Sequence, residues 1–174
     1  MNIENALIEA LGDVGARVHS GRSRNDQIAT DERLYFRYEA DVLVELITAL
    51  QRALVQLAMD NDGVVLPGMT HLQHAQPVLL AHHLLAYAEM FERDIQRVQD
   101  TRKRINLLPL GAAALAGTGL PLDREWVARE LGFDAVLANS MDAVSDRDYV
   151  IEFVAALAMI AMHCSRLAED VVLW

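Results

Sequence analysis

Between Gly21 and Gly63 the chain contains neither glycine nor proline. Within that run Phe36, Leu43, Ile47, Leu50, Leu54 and Leu57 recur at steps of seven, four and three. Such spacing gathers apolar side chains on one face of a helix. The pattern predicts a helix over roughly 25–59, about 50 Å long at ~1.5 Å per residue. Ser23, Asn25 and Asp26 are its candidate N-caps. "NDGVVLPGM" then interrupts it. A second helix is predicted to open at Pro77, a favoured first-turn residue, and to run on until Pro109 stops it. Arg97, Arg102, Lys103 and Arg104 fall in its last turns, where cations complement the helix dipole. "LPLGAAALAGTGLP" (108–121) is a small-residue connector without the GxxxxGK[ST] pattern of a phosphate-binding loop. "DREWVAREL" forms a short helix closed by Gly132. A third long helix begins within "SMDAVSDRDYV" and continues to Trp174. The predicted fold class is therefore all-α, a bundle of long helices. Residues 1–24 form a short helix and a binding loop, and residues 25–174 form the bundle domain.

The third helix is apolar on nearly every face between Phe153 and Met162. A helix of that kind must be covered on all sides. Three helices this long are too extended for a compact bundle from one chain, so a closed, symmetric homo-oligomer is expected, the alternative being a monomeric bundle with a wide core. Composition supports the helical reading. Hydrophobic residues make up 53% and aromatics only 6%, so the apolar mass is aliphatic and helix-compatible. The most apolar run, "FVAALAMIAM", is flanked by Glu152 and His163 and is shorter than the roughly 20 residues a membrane span needs. No membrane partner is expected, and the start of the chain has no signal-peptide pattern. The single cysteine, Cys164, precludes an internal disulfide, in keeping with a reducing compartment. Its place in an apolar helix suggests a packing role.

The formal net charge is -10. That balance argues against nucleic acid as a partner, because a phosphate backbone needs a broad basic surface. Against this background one stretch stands apart. From Ala16 to Asn25 the chain carries Arg17, His19, Arg22 and Arg24 and no acid. Guanidinium groups grip carboxylates through paired hydrogen bonds, and the N–H groups of a helix start favour the same charge. "RSRN" therefore suits a small carboxylate. In the alternative reading, Ser23 or Asn25 only caps the helix while the arginines pair with acids such as Asp26. "MTHLQHAQP" (69–77) places His71 and His74 in a polar loop before a helix, where an imidazole can serve as general acid or base. His71 and His74 have no further ordered metal ligands, so no metal is expected. His82, His83 and His163 lie inside helices and read as core or surface filling. In "NSMDAVSDRD", Arg147 stands between two aspartates, either held in ion pairs or available to substrate.

The stretches "SGRSRNDQIATD", "PGMTHLQHAQPV", "LPLGAAALAGTGLPLDR" and "NSMDAVSDRDYVIEF" follow one another as they do in the argininosuccinate lyases of the aspartase/fumarase superfamily. The chain resembles the central portion of that family from about Gly15 to its end. The "SRNDQ-x-ATD" stretch is specific to argininosuccinate lyases and their lens-crystallin relatives, and "THLQ-x-AQP" is shared more widely with sister enzymes. The resemblance implies a cytoplasmic homotetramer with a central bundle of long helices. Its active sites would each be completed by loops from three chains. They would cleave argininosuccinate to arginine and fumarate, an acid–base elimination without cofactor. Asn25 matches the family's substrate-binding Asn, with Ser23 and Arg24 beside it. Thr70 matches the substrate-binding Thr, His71 the catalytic His, and Arg147 a substrate-side Arg. Three positions depart from the family pattern: Met69 where Tyr is usual, His74 where Arg is frequent, and Ala113 where Gly is common. The family's N-terminal segment and its mobile "GSS-x-MP-x-K-x-N" loop, which carries a catalytic Ser and a Lys, have no match in these 174 residues. The chain is accordingly expected to be a portion of the enzyme, inactive alone. The alternatives are a catalytically silent, crystallin-like assembly module and a sister lyase acting on another succinyl-type substrate.

Overall fold

The structure is a computed structural model and describes residues 2–173. It is an all-α architecture with short strands between the helices. Helix α1 covers Asn2–Leu11, α2 Asp13–Ala16, α3 Arg24–Asp60, α4 Leu80–Ile105, α5 Arg124–Leu131, α6 Ser140–Ser145 and α7 Asp148–Leu173. The third long helix therefore starts after the arginine of "SDRD", and Trp174 lies outside the described residues. The chain divides into two compact units, one of residues 1–37 and 105–147, the other of residues 38–104 and 148–174.

The three long helices share a repeat finer than the stripe read from the sequence. In α4 the buried positions include Leu84, Tyr87, Phe91, Asp94, Val98, Thr101 and Ile105, alternating steps of three and four. In α7 they are Tyr149, Phe153, Ala156, Ile160 and His163. In α3, Arg33, Ala40, Ile47 and Leu54 are buried one heptad apart, whereas Leu57 is exposed. A spacing of about 3.5 residues keeps one seam facing a neighbouring helix. Two seam positions of α4 carry polar side chains, Asp94 and Thr101.

In the second unit, α4 is braced to both other helices. Gln51 Nε2 donates to Ala88 O (2.9 Å) from α3. Arg102 grips Asp41 of α3 through two bonds (2.5 and 2.9 Å), and Arg104 grips Glu152 of α7 likewise (2.7 and 2.5 Å). The basic cluster read as a dipole complement is thus also a set of struts between helices. Lys103 pairs with Asp100 (2.8 Å) within its own helix. Asp94 meets His163 Nδ1 at 2.6 Å and Arg97 at 2.8 Å. Asp170 on α7 meets His83 Nε2 at 3.0 Å and accepts from the Tyr87 hydroxyl. Burial and the Asp170 carboxylate push the Tyr87 hydroxyl up to about 12. His83 and His163 therefore serve in polar contacts between helices, not as inert filler.

The second helix does not begin at Pro77. Residues 65–79 form an antiparallel hairpin, β1 (Val65–Thr70) and β2 (Gln73–Leu79), and α4 starts at Leu80. Pro67 and Pro77 face each other across it. A two-stranded hairpin tolerates proline because neither strand has an outer neighbour awaiting its N–H.

In the first unit, two short parallel strands, β3 (Leu107–Leu108) and β4 (Ala135–Val136), hold the ends of the α5 region together. Helix α5 starts on Asp123, whose carboxylate accepts from Trp126 N–H (2.8 Å), and ends on Gly132 in the left-handed conformation, as its sequence predicts. Leu108, Ala128 and Phe133 form the core beneath it. Arg37 donates to Leu131 O, Gly132 O and Asn106 Oδ1 at 2.8–2.9 Å, and lies over the Phe133 ring at 4.9 Å. A cation is thereby seated on the C-terminal carbonyls of α5, where the dipole favours it.

Much apolar surface remains open. On α7, Ile151 (70% exposed), Val154, Val171 and Val172 (81%) face outward. Cys164 on the same helix is also exposed. By length and composition both α3 and α7 are apolar enough to cross a membrane, with 17% of each apolar window buried. The ten-residue run that the sequence reading judged too short is thus part of a longer apolar helix.

Candidate functional site

The turn that opens α3 is a reciprocal cap. Ser23 Oγ accepts from Asn25 N–H (3.3 Å), and Asp26 Oδ1 accepts from Ser23 N–H (2.9 Å). This is the Ser-x-x-acid capping box, which satisfies donors that a helix start leaves unpaired. Asp26 is fully buried, and its other oxygen accepts from Gly111 N–H (3.0 Å) and Ala113 N–H (2.8 Å). The reading in which the neighbouring arginines pair with Asp26 is therefore corrected. Its two oxygens take three backbone N–H groups, two of them from the connector after α4.

Asn25 is exposed, and its Nδ2 donates to Ala114 O at 2.9 Å. An amide nitrogen has two protons, so one is committed to the connector and one is left for a ligand. Arg22 and Arg24 are exposed and line a cavity of about 630 Å³ together with Gln27, Ile28, Trp126 and Glu130. Acids on the same walls include Glu4, which pairs with His19 at 3.5 Å. The basic island thus meets a cavity lined by residues of both charges and by apolar side chains, not a purely cationic one.

The connector itself is held in an unusual backbone path. Gly111 has φ 91°, Ala113 φ 53° and Gly117 φ 77°. A Cβ at Gly111 would stand 2.7 Å from Arg124 Cγ, so glycine is required there for space as well as conformation. Ala113, the departure noted where the family commonly has glycine, is a non-glycine residue in left-handed space. Such a residue costs about 1–2 kcal/mol, partly offset by the greater unfolded-state freedom that glycine brings. Ala113→Gly is expected to stabilise the chain by up to about 1 kcal/mol. A midpoint in urea that falls on this substitution would contradict the strain.

Arg147 is not held by the carboxylates on either side of it in the way the sequence suggested. Its Nε pairs with Glu32 of α3 (2.8 Å), and its NH1 donates to Asp146 O (2.7 Å), a backbone carbonyl. The Asp146 carboxylate goes instead to the buried Arg33 (2.5 Å), which also donates to Ile105 O (3.2 Å).

Thr70 and His71 belong to the hairpin of the second unit. Thr70 ends β1 opposite Gln73, and the turn between them is His71 (φ 53°) and Leu72 (φ 58°). Two-residue hairpin turns with positive φ at both positions normally use Asn-Gly or similar pairs. Two ordinary side chains there cost about 1–2 kcal/mol each, and strain of this kind clusters at functional sites. His71 is exposed at the tip, with no side-chain hydrogen bond or ion pair among the described residues. Ser23, Arg24 and Asn25 thus share one turn, Thr70 and His71 share another, and Arg147 sits against Glu32. Among the described residues no group of three or more His, Cys, Asp or Glu side chains is placed to hold a metal.

Sequence reasoning missed the structural partners of these residues. Asp26 was legible by residue type as one of three candidate N-caps, but its hold on residues 111 and 113 was not. No local signal marked Arg33 or the Asp94–His163 pair.

A protein family described as Lyase matches residues 1–174. The argininosuccinate lyases of Bordetella avium and Methylibium petroleiphilum are each 62% identical over all 174 residues, 100% of this chain and 37% of theirs. Among solved structures, a crystal structure of EDDS lyase in complex with formate superposes with a TM-score of 0.95 at 37% identity, covering 99% of this chain and 35% of that one. A variant of EDDS lyase with bound fumarate superposes equally well. The chain spans a little over a third of the length of the curated relatives it matches.

Proposed function

Because this chain belongs to the lyase family, we propose that it is the central part of an argininosuccinate lyase, which cleaves argininosuccinate to arginine and fumarate. The observation that carries this is the 62% identity to argininosuccinate lyases along the whole chain, against 37% to EDDS lyase. The carbon–nitrogen bond breaks after a proton leaves the carbon beside a carboxylate. Negative charge then grows on that carboxylate, and donors fixed in advance stabilise it more in the transition state than in the ground state. Ser23, Arg24 and Asn25 are these donors. The free proton of the Asn25 amide and the Arg24 guanidinium supply neutral and charged contacts at one helix start. Thr70 binds substrate beside His71, whose exposed imidazole transfers a proton. Arg147, oriented by Glu32, completes the anion contacts. Residues 1–24 bring the binding turn and residues 25–174 the bundle. No cofactor enters this scheme.

The chain works as a cytoplasmic homotetramer in which copies cover one another's α3 and α7. Support comes from the open apolar faces of both helices, Val172 at 81% exposure among them. Contiguous apolar surface on this scale marks an association face. Light scattering at micromolar concentration is expected to give four chains per particle, and a folded monomer would overturn the assembly.

The activity is tested by complementation. The chain is mixed with full-length argininosuccinate lyase of Bordetella avium inactivated at its counterpart of His71, and fumarate release is followed by absorbance. Hybrid sites that draw His71 from this chain and the remaining parts from the relative are expected to turn over. Complete absence of fumarate from verified hybrids would overturn the proposal. Made in this chain and at its counterpart in the relative, Asn25→Ala is expected to cost the active hybrids about 1–3 kcal/mol of transition-state binding, or about 5- to 150-fold in kcat/KM. An unchanged kcat/KM would remove Asn25 from the site.

A further inference from the structure

We infer that Asp26 is a positioning residue, a buried carboxylate that fixes both the Ser23–Asn25 turn and the connector carbonyl that orients Asn25. The inference rests on the carboxylate-binding role given above to that turn. Its starting point is a pattern of donors. Three backbone N–H groups, from Ser23, Gly111 and Ala113, converge on one side chain with no exposed surface. The two connector donors sit in left-handed backbone, Gly111 at φ 91° and Ala113 at φ 53°, separated by one residue. Alternation of this kind turns N–H groups to one side and forms a concavity for negative charge. The carboxylate of Asp26 fills that concavity from α3. The connector is further closed on itself by Ala112 N–H to Pro109 O (3.1 Å) and Gly117 N–H to Ala112 O (2.8 Å).

The consequence reaches the binding turn by two routes. Through Oδ1, Asp26 holds the backbone of Ser23, three residues earlier. Through Oδ2 it holds the Ala113 N–H, and the carbonyl of the following residue, Ala114, accepts from Asn25 Nδ2 at 2.9 Å. Asn25 is thereby fixed at its backbone, one residue before Asp26, and at its side-chain tip.

An ionised carboxylate is the group this arrangement requires. It only accepts, and it accepts at both oxygens. An amide in its place has one acceptor oxygen and one NH2. If the oxygen faces Gly111 and Ala113, the NH2 meets the Ser23 N–H, donor against donor. If it is flipped, both connector donors lose their acceptor. Asp26→Asn, although nearly isosteric, therefore breaks the clamp in either orientation.

The test uses the 174-residue chain, amide hydrogen exchange, and the side-chain amide resonances of Asn25, with succinate as the dicarboxylate probe. In the wild type, the Gly111 and Ala113 amides are expected to exchange as slowly as those of α5, although they lie in irregular backbone. In Asp26→Asn both speed up about tenfold or more, while α5 and the α4–α7 amides keep their rates. The two Asn25 side-chain protons move to the shifts of a free amide, and succinate binds about tenfold more weakly. Asn25→Ala is expected to weaken succinate binding and leave Gly111 and Ala113 slow. Gly111 and Ala113 amides as fast as that of Gly119 in the wild type would overturn the inference. Unchanged rates in Asp26→Asn would do the same. Loss of α5 protection together with that of the connector would make Asp26 a general determinant of the fold and overturn its positioning role. If the exchange pattern holds but the wild type shows no response to succinate, the clamp stands and the carboxylate-binding role of the turn fails.

Discussion

Purified by itself, the chain is expected to fold, assemble and release no fumarate from argininosuccinate. Assembly draws on α3, α4 and α7, which are all present with their apolar seams and struts. Catalysis asks for more. A proton must leave carbon and another must reach the departing nitrogen, so donor and acceptor are needed in one water-poor site. His71 supplies one. Resemblance to argininosuccinate lyases assigns the other to a Ser on a "GSS-x-MP-x-K-x-N" loop, and these 174 residues contain no such stretch. Among the described residues, Cys164, Lys103 and Ser145 are not placed to stand in for it. Cys164 is exposed on α7, Lys103 is paired with Asp100, and Ser145 Oγ donates to the Met141 carbonyl of its own helix. Loss of a general acid or base costs about 10²–10⁴-fold, so turnover should fall below detection. In hybrids with the inactivated Bordetella avium enzyme, the wild-type chain is expected to restore fumarate release. His71→Ala in this chain should abolish that restoration while leaving hybrid assembly unchanged by light scattering. Steady turnover by the purified chain alone would show that the Ser-bearing loop is dispensable. Equal rescue by His71→Ala would remove His71 from the chemistry.

Asp94→Ala is expected to give a large loss of stability in the second unit. Asp94 has no exposed surface and holds His163 Nδ1 at 2.6 Å and Arg97 at 2.8 Å. The imidazole is 5% exposed and meets the Phe91 ring edge-on. Truncation leaves a cavity and a buried ring N–H without its acceptor, whereas Arg97, 39% exposed at its side chain, recovers water. An orphaned buried polar group together with a lost charge-assisted bond amounts to about 3 kcal/mol. For a domain of this size that is roughly 6–12 °C in Tm, compared at equal chain concentration because assembly contributes to the midpoint. The double change Asp94→Leu with His163→Leu is expected to recover most of the loss, since well-packed apolar pairs often replace buried polar pairs at no net cost. A Tm within about 1 °C of wild type for Asp94→Ala would mean that water replaces the carboxylate without penalty.

What the sequence determined by itself is what acts over a few residues. The start of α3 was legible because Ser23, Asn25 and Asp26 are N-cap residue types, and its length because no glycine or proline interrupts 25–59. Gly132 marked the end of α5 for the same reason. The all-α class followed from apolar periodicity, and the candidate binding residues from short motifs that keep their order. The hairpin at 65–79 was hidden. Its turn is His71-Leu72, lacking the glycine or asparagine that positive φ favours, and Pro77 imitates a helix start. Only the tertiary structure decided the partners of the charged groups. Asp26 finds Gly111 and Ala113 more than eighty positions away, Arg33 finds Asp146, and Asp94 finds His163. Capping, periodicity and turn preference are local energies that a sequence displays directly. A buried charge instead takes whichever complementary group the packed helices bring within about 3 Å, and that choice exists only after the chain has folded.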